Sequence, residues 1–252
     1  MERVPMGERE FTWPKGKRAA VSLTFDDARL TQPDVGHAIL DECGVKGTFY
    51  VTPEHVLKRL DAWKAAVAAG HEIGNHTISH PCSGNFPWAR NNALEDYTLE
   101  GMEDELLGAN AEIEKMLGIV PTTFAYPCGQ AFVGRGENLR SYVPLVAKHF
   151  RVGRHAFSEI ANDPSVCDLA QVTSIDLDRR RPDEALRTIE TAAAEGRWLV
   201  LFAHEVASEG RQAAPPETLE AVCRYCTQPD HGIWIDTVAN VGDYVRRMRT
   251  DA

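Results

Sequence analysis

Two adjacent carboxylates, Asp26 and Asp27, follow directly after an apolar run at residues 19–25. Two acids buried side by side carry a desolvation cost, so one acid could instead cap a helix while the other faces solvent. The interpretation with more chemistry assigns one acid to a metal ion and the other to proton transfer. Residues elsewhere in the chain must decide between these two interpretations.

A pair of histidines, His76 and His80, comes after a short strand-like segment at residues 71–74. The two rings converge if the chain makes one helical turn after the strand. Imidazole is also common at surfaces and in cores, so the pair by itself does not establish a metal site. Together with Asp27 the pair supplies two nitrogens and one oxygen, and such a set leaves coordination positions open for water and substrate.

Two more segments with useful chemistry lie at the ends of apolar runs. The turn Tyr126-Pro127-Cys128-Gly129 closes one run, and His204 follows another at residues 198–203. A lone histidine in this position is often structural. In a barrel, however, all parallel strands open their C-terminal ends onto one face, so we expect these groups to meet in one cleft.

The elements that must position these residues alternate between strand-like and helical periodicity, which predicts a parallel sheet wrapped by helices. The predicted strands are residues 19–25, 45–51, 71–74, 122–126, 150–153, 171–175, 198–203 and 232–235. The predicted helices are residues 33–43, 53–69, 94–117, 183–195, 216–226 and 237–248. This number of strands favours a barrel, and the long loops at residues 81–92 and 128–139 are candidate walls of a groove.

These motifs, in this order, resemble carbohydrate esterase family 4, the NodB-like polysaccharide deacetylases. The resemblance extends from about residue 19 to residue 244, and it rests on Thr24-Phe25-Asp26-Asp27, His76-Thr77-Ile78-Ser79-His80 and Leu201-Phe202-Ala203-His204. It implies an α/β fold, a distorted (β/α) barrel, with Asp26 as catalytic base and His204 as general acid. It also implies that Asp27, His76 and His80 bind a divalent cation. Zn²⁺ is our first choice, and Co²⁺, Ni²⁺, Mn²⁺ or Fe²⁺ suit the same ligands.

The chain departs from the family pattern in its third and fourth motifs. The third motif usually reads Arg-Pro-Pro-Tyr-Gly, whereas this chain has Ala125-Tyr126-Pro127-Cys128-Gly129. The arginine that partners the base is therefore missing, unless Arg135 or another residue of the long loop replaces it. The resemblance gives the oxyanion role to the backbone N–H of Cys128, which any residue except proline can supply. The fourth motif is echoed only by Ser174-Ile175-Asp176, so Asp176 is the candidate for orienting His204.

Residues that contact the substrate are less well defined by the sequence. Trp88, with Phe86, is suited to stacking on a sugar ring, although such aromatics also anchor their own loops. Tyr126 and Arg135 are the other candidates, and an arginine in a loop is often simply solvated. We expect an acetylated sugar or oligosaccharide as the substrate.

The composition limits the other classes of function. The chain has 252 residues, of which 43% are hydrophobic and 25% charged, and this indicates one domain over residues 1–252 with a substantial core. A formal charge of −10 argues against nucleic acid as a partner. Residues 1–18 hold no apolar run of signal-peptide length, and no later stretch suits a bilayer. We therefore expect a cytoplasmic protein without a membrane partner, unless an export signal has been removed.

The six cysteines are irregularly spaced, and in a cytoplasmic protein they are expected to be reduced thiols. Cys223 and Cys226 form a CxxC pair, which supplies only half of a structural zinc site and also suits one face of a helix. We therefore predict that this pair packs in the core.

The predicted function is metal-dependent hydrolysis of N-linked or O-linked acetyl groups on a carbohydrate. One alternative is an intracellular amidohydrolase that acts on a small cyclic amide or ureide, because relatives of this family catalyse such reactions and no export signal is seen in the sequence. Another is a carbohydrate-binding protein that has lost turnover, which the missing arginine suggests. Retention of both Asp26 and His204 argues against a protein that only binds.

Overall fold

The computed structural model describes residues 11–250, with the side chain of residue 250 excepted. The prediction about a signal peptide in residues 1–18 falls mainly on residues 1–10, which lie outside the described residues. The strands are β1 (Ala19–Asp26), β2 (Thr48–Val51), β3 (Glu72–Asn75), β4 (Thr123–Ala125), β5 (Phe132–Val133), β6 (Arg140–Ser141), β7 (Val152–Arg154), β8 (Ile175–Asp176), β9 (Trp198–Ala203), β10 (Glu205–Val206), β11 (Ala213–Ala214) and β12 (Ile233–Ile235). The α-helices are α1 (His37–Glu42), α2 (Pro53–Leu57), α3 (Leu60–Ala68), α4 (Leu99–Leu117), α5 (Val143–His149), α6 (Pro182–Ala194), α7 (Pro216–Thr227) and α8 (Val238–Thr250).

Eight of these strands form one parallel sheet, in the order β7-β4-β3-β2-β1-β9-β8, with β12 also paired to β1. The two edges of this path approach each other, because Val172 forms a parallel bridge with Arg154 of β7 just before the chain enters β8. The sheet therefore curls into a distorted barrel with helices outside it, which confirms the predicted α/β barrel class. The C-terminal ends of its strands face one side.

The alternation of side chains along β1 explains how this strand serves both the core and the site. Val21, Leu23 and Phe25 belong to the largest hydrophobic cluster, which lies against the outer helices. Successive side chains of a strand point to opposite faces, so Thr24 and Asp26 point into the barrel. The last residue of β1, Asp26, therefore places a carboxylate inside the barrel.

Helix α4 begins and ends at residues whose chemistry suits those positions. The side chain of Thr98 accepts a hydrogen bond from the backbone N–H of Gly101 (3.1 Å) and caps α4, whose buried face includes Leu106 and Ile113. Gly118, with φ of 72°, ends the helix in the left-handed conformation that glycine adopts at low cost. None of the helices among residues 11–250 is both long enough and apolar enough to span a bilayer.

Several predicted elements differ from the observed ones at their boundaries. The helix predicted at residues 53–69 is two helices, because Arg59 leaves the helical region (φ −144°) between α2 and α3. The strand predicted at residues 171–175 is reduced to the Val172 bridge and β8, since the chain crosses there from one sheet edge to the other. Helix α5 and the two small sheets β5–β6 and β10–β11 were not predicted.

Candidate metal centre and active-site cleft

The C-terminal ends of the barrel strands surround a cleft of about 970 Å³. The structure brings into this cleft the two acids at the end of β1, both histidines after β3, the turn after β4 and the histidine after β9. The residues from these four segments are Asp26, Asp27, His76, His80, Cys128 and His204. The convergence expected from strand ends in a barrel is therefore present.

Three side chains at the base of the cleft form a candidate metal centre. Oδ1 of Asp27 lies 3.5 Å from Nε2 of His76 and 3.3 Å from Nε2 of His80. One ligand atom from each residue lies within 4.8 Å of the others. Donor atoms of a tetrahedral zinc site with bonds of about 2.1 Å are separated by roughly 3.4 Å, so this set fits a divalent cation.

The surroundings of the three residues hold their ligand atoms in a metal-binding form. Nδ1 of His76 donates a hydrogen bond to the carbonyl of Ala125 (2.8 Å), which leaves the Nε2 lone pair facing Asp27. Burial and the neighbouring His76 ring lower the pKa of His80 to about 4, so His80 is neutral at pH 7. Burial raises the pKa of Asp27, but the facing His76 and the nearby rings of His80 and His204 outweigh it, and the net pKa lies well below the ordinary value.

The second oxygen of Asp27 is bound by an arginine that we did not predict. Nη2 and Nε of Arg29 donate to Oδ2 of Asp27 at 2.9 and 3.1 Å. The guanidinium therefore fixes the carboxylate while Oδ1 faces the two histidines.

The arginine missing from the third motif is replaced by Arg154, at the end of β7. Its Nη2 donates to Oδ1 of Asp26, and the two side chains are 0% and 6% exposed. The guanidinium lies between the rings of Tyr50 (5.0 Å) and Phe202 (5.3 Å) and also donates to Ser174 Oγ (3.2 Å). Asp26 of β1 thus has a cationic partner, which reaches it from β7.

The suggestion that Arg135 fills this role is wrong. The side chain of Arg135 is 67% exposed, forms an ion pair with Asp96 and does not line the cleft. Its loop contains the small hairpin β5–β6, which directs the residue to the surface. The sequence could have marked Arg154 as a candidate site residue, though not as the partner of Asp26, because it directly follows the strand predicted at residues 150–153, in the position common to the other site residues.

The aspartate that orients His204 is Asp178, and the prediction of Asp176 is wrong. Nδ1 of His204 lies 2.7 Å from Oδ2 of Asp178, whose other oxygen accepts the backbone N–H of His204 at 3.1 Å. Asp176 instead accepts the backbone N–H of Asp178 (2.9 Å), and burial raises the pKa of its carboxyl. The position that we matched to the fourth motif is two residues too early, because both acids lie at the end of β8 and the sequence does not show which one faces His204.

The environment of His204 favours the protonated ring. Burial lowers the pKa of His204, but the hydrogen bond to Asp178 and the negative charge of Asp26 outweigh this effect, so the net pKa is raised. Nε2 lies 3.2 Å from the side-chain amide of Gln212 and faces the cleft. Such a ring can deliver a proton at neutral pH.

Cys128 lines the cleft, but its side chain is not the reduced thiol that we expected. It forms a disulfide with Cys82, across a sequence separation of 46 residues. The prediction of reduced thiols is thus wrong for these two cysteines, because the topology places the loops after β3 and β4 side by side. Cys43, Cys167, Cys223 and Cys226 are free, and the predicted core position of the CxxC pair is confirmed by the burial of Cys223 and Cys226.

Of the four candidate substrate residues, Phe86 and Trp88 reach the cleft. Trp88 is 61% exposed, its ring lies 5.9 Å from that of His80, and Phe86 stacks on it at 5.3 Å. The prediction for Tyr126 is wrong, since the residue is 1% exposed, stacks on His155 and donates its hydroxyl to the carbonyl of Ala170 (2.7 Å). Arg135 lies outside the cleft, and the exposed ring of Phe157 lines it instead.

Comparison with known proteins agrees with this arrangement of fold and motifs. A family model described as polysaccharide deacetylase matches residues 14–141, a segment that includes both acids and both histidines. This chain belongs to the polysaccharide deacetylase family. The family resemblance inferred from the motifs is therefore confirmed.

Individual members of the family match shorter segments. Chitin deacetylase 1 of Cryptococcus neoformans var. grubii is 32% identical over 107 residues, which cover 42% of this chain and 20% of that protein. The peptidoglycan-N-acetylglucosamine deacetylase of Bacillus cereus is 42% identical over 76 residues, which cover 28% of this chain and 26% of that protein. The match with this chain thus covers less than a third of the length of either curated relative.

Similarity in three dimensions extends over nearly the whole chain. A solved structure described as a polysaccharide deacetylase from Mycobacterium smegmatis superimposes with a TM-score of 0.69 and 18% identity, and covers 94% of this chain and 93% of that chain. At this identity the comparison shows the fold alone.

Proposed function

We propose that this protein is a metal-dependent deacetylase that removes N-linked or O-linked acetyl groups from a carbohydrate. One observation carries the proposal: a His/His/Asp ligand set lies in the same cleft as a paired carboxylate and a paired imidazole. The carboxylate is that of Asp26, held by Arg154, and the imidazole is that of His204, held by Asp178. A protein that only binds sugars needs none of these pairs.

The ion held by Asp27, His76 and His80 would supply Lewis-acid chemistry, which polarises the acetyl carbonyl and acidifies a water molecule. We propose Zn²⁺, although Co²⁺, Ni²⁺, Mn²⁺ and Fe²⁺ suit the same ligands. Asp26 accepts the proton of the attacking water, while Arg154 fixes the orientation of its carboxylate. The backbone N–H of Cys128 donates a hydrogen bond to the negative charge that develops on the acetyl carbonyl oxygen as water adds to the carbon.

His204 completes the reaction on the side of the leaving group. Its raised pKa favours the protonated ring, and Asp178 presents Nε2 to the cleft. An amine leaves poorly unless it is protonated, so an N-acetyl substrate depends strongly on this proton. An ester substrate depends on it less, because an alkoxide is the better leaving group of the two.

The proposed substrate is an acetylated sugar or oligosaccharide that lies along the open cleft. Phe86 and Trp88 form a stacked aromatic pair on the wall beside His80, and Phe157 lines the cleft as well. Exposed aromatic faces of this kind suit the apolar face of a pyranose ring. The named chitin and peptidoglycan relatives make oligomers of N-acetylglucosamine the first substrates to test.

The alternative of a binding protein without turnover was motivated by the absent arginine. Because Arg154 pairs with Asp26, that motivation is removed, and a hydrolase is the better proposal. The amidohydrolase alternative uses the same centre on a small cyclic amide or ureide. The exposed aromatic wall favours a sugar over such a small molecule.

Acetate release separates these functions. We would incubate the metal-loaded protein with N-acetylglucosamine oligomers, peptidoglycan fragments, acetylated xylan and a set of cyclic amides and ureides. We expect acetate from at least one carbohydrate, loss of hydrolysis after chelation and recovery when Zn²⁺ is restored. Ring opening of a cyclic amide without acetate release would establish the amidohydrolase instead, and full activity in the chelated protein would contradict the metal-dependent mechanism.

A further inference from the structure

The disulfide between Cys82 and Cys128 joins two loops that carry separate parts of the proposed machinery. Cys82 lies two residues after the candidate ligand His80, and its Sγ is 3.7 Å from Nδ1 of that ring. Cys128 carries the backbone N–H that we assign to the oxyanion. A covalent bond therefore connects the metal-binding loop directly to the oxyanion-binding turn.

The two ends of this bond differ in how firmly they are held. Cys82 is fully buried, and its carbonyl accepts the backbone N–H of Leu94 at 3.0 Å. Cys128 is half-buried, lines the cleft and has φ of 53° and ψ of 17°, a left-handed conformation that residues with a Cβ seldom adopt. Through the disulfide, the firmly held Cys82 can therefore keep Cys128 in this uncommon backbone conformation.

Hydrogen bonds also hold the two loops around this bond. The backbone N–H of Ser83 donates to the side-chain oxygen of Gln130 at 2.8 Å, and the hydroxyl of Tyr142 donates to the Gln130 carbonyl at 2.6 Å. These neutral bonds act on residues next to Cys128, whereas the disulfide acts on Cys128 itself. In the family pattern a tyrosine occupies the position of Cys128, and this chain has a covalent link in its place.

We propose that the Cys82–Cys128 disulfide is a positioning link that holds the backbone N–H of Cys128 beside the metal centre, so that turnover depends on the bond being oxidised. This inference rests on the proposed function. Reduction by a dithiol transfers two electrons and two protons, breaks the S–S bond, leaves two cysteine thiols and converts the dithiol to its own disulfide. Cys128 lies in the open cleft, where a small dithiol can attack its sulfur.

The state of the cysteines is the first measurement. Thiols are counted in unfolded protein that has not been reduced. We expect four modified cysteines, since two of the six are joined. Six modified cysteines in protein purified without reductant would overturn the proposal.

Kinetics then separate positioning from a purely structural role. The protein is reduced with dithiothreitol, desalted without oxygen and reloaded to the same zinc content as the oxidised protein. We expect kcat to fall about 10- to 100-fold while KM changes less than about threefold, because an oxyanion donor acts mainly in the transition state. A double Cys82→Ala, Cys128→Ala variant should match the reduced protein and no longer respond to dithiothreitol. A Cys43→Ala variant, which removes a free thiol, should behave as the unaltered protein.

Hydrogen exchange provides a readout that does not require turnover. Reduction should increase amide exchange in residues 126–131 at least tenfold while exchange in the barrel strands stays unchanged. An unchanged kcat in the reduced protein, or a loss of activity that follows a loss of zinc, would overturn the proposal. If the oxidised protein hydrolyses no carbohydrate at all, the proposed function fails, and unchanged exchange in residues 126–131 would then overturn the positioning role as well.

Discussion

Asp26 and Asp27 are neighbours in the sequence, but the structure gives them opposite environments. Asp26 ends β1 on the face that points into the barrel, where Arg154 pairs with it. Asp27 follows the strand with φ of 73°, and its carboxylate faces the two histidines. Because the chain turns between them, one acid is placed for proton transfer and the other for metal binding.

Replacing Asp26 with Asn tests this division of roles. The amide cannot accept a proton from water, so we expect kcat to fall by about two to four orders of magnitude. Metal content should remain near that of the unaltered protein, because Asp26 is not in the ligand set. Kinetics and elemental analysis on the same sample check both statements, and Asp27→Asn is the matched control that should lose the metal. If Asp26→Asn lost the metal instead, the two roles would be reversed.

Replacing Arg154 with Met tests the buried ion pair. Removing one partner leaves the Asp26 charge buried without compensation, which destabilises proteins by about 3–5 kcal/mol. We expect a loss of this size in the free energy of unfolding, measured by denaturant titration, with lower kcat. Arg135→Met is the control, since its pair with Asp96 is largely exposed and such pairs contribute about 1 kcal/mol or less. Equal small losses in both variants would show that Arg154 does not stabilise Asp26.

At the scale of elements, the path of the chain at β8 and just after it determines which aspartate forms the hydrogen bond with His204. The strand contributes only Ile175–Asp176, and the chain then turns so that Asp178 reaches Nδ1 of the ring. Sequence pattern located this segment correctly but assigned the role to Asp176. The error is physical in origin, since the direction of a side chain just past a short strand depends on the turn that follows.

Replacing Asp178 with Asn should change the pH dependence of the reaction. The hydrogen bond and charge of Asp178 raise the pKa of His204, so their removal lowers that pKa. A general acid is lost as the pH rises through its pKa, and we therefore expect the alkaline limb of the kcat profile to move to lower pH. The profile should be measured on an N-acetyl substrate, with Asp176→Asn as the comparison. A larger shift in Asp176→Asn than in Asp178→Asn would return the orienting role to Asp176.

Strands β2 and β3 pack so closely at Gly74, next to the metal ligands, that a larger side chain there should disturb the packing. A Cβ on Gly74 would overlap the ring of Tyr50 and lie 3.0 Å from Oγ1 of Thr123. Gly74→Ala should therefore destabilise the protein by about 1–3 kcal/mol, as overpacking does. In Gly101→Ala the nearest atom is Thr98 Oγ1 at 3.6 Å, so this control should be neutral or slightly stabilising. Denaturant titration checks both, and equal stability of the two variants would contradict the close packing at Gly74.

At the scale of the whole molecule, the sequence predicted the barrel and the convergence of strand ends because both follow from local periodicity. It did not predict Arg154 as the partner of Asp26, because these residues are 128 positions apart and meet only across the curled sheet. The Cys82–Cys128 bond likewise depends on two loops being adjacent in space. Partners of this kind are set by how the sheet closes, and periodicity along the chain does not contain that information.

Two predictions at this scale remain predictions. One is that the chain is a single domain over residues 1–252 with its core at about 19–244. The other is a cytoplasmic location, against which the disulfide is an argument, since such bonds persist mainly in oxidising compartments. Localisation of a tagged protein in the native cell would decide the second.

The central claim is that Asp27, His76 and His80 hold one divalent cation. The most direct measurement is the metal content per chain, by elemental analysis after dialysis, of the unaltered protein and of Asp27→Ala, His76→Ala and His80→Ala. We predict close to one equivalent of metal, with Zn²⁺ favoured, in the unaltered protein and little metal in each variant that remains folded. Full metal content in all three folded variants, or an unaltered protein that hydrolyses acetyl groups with no bound metal, would contradict the account.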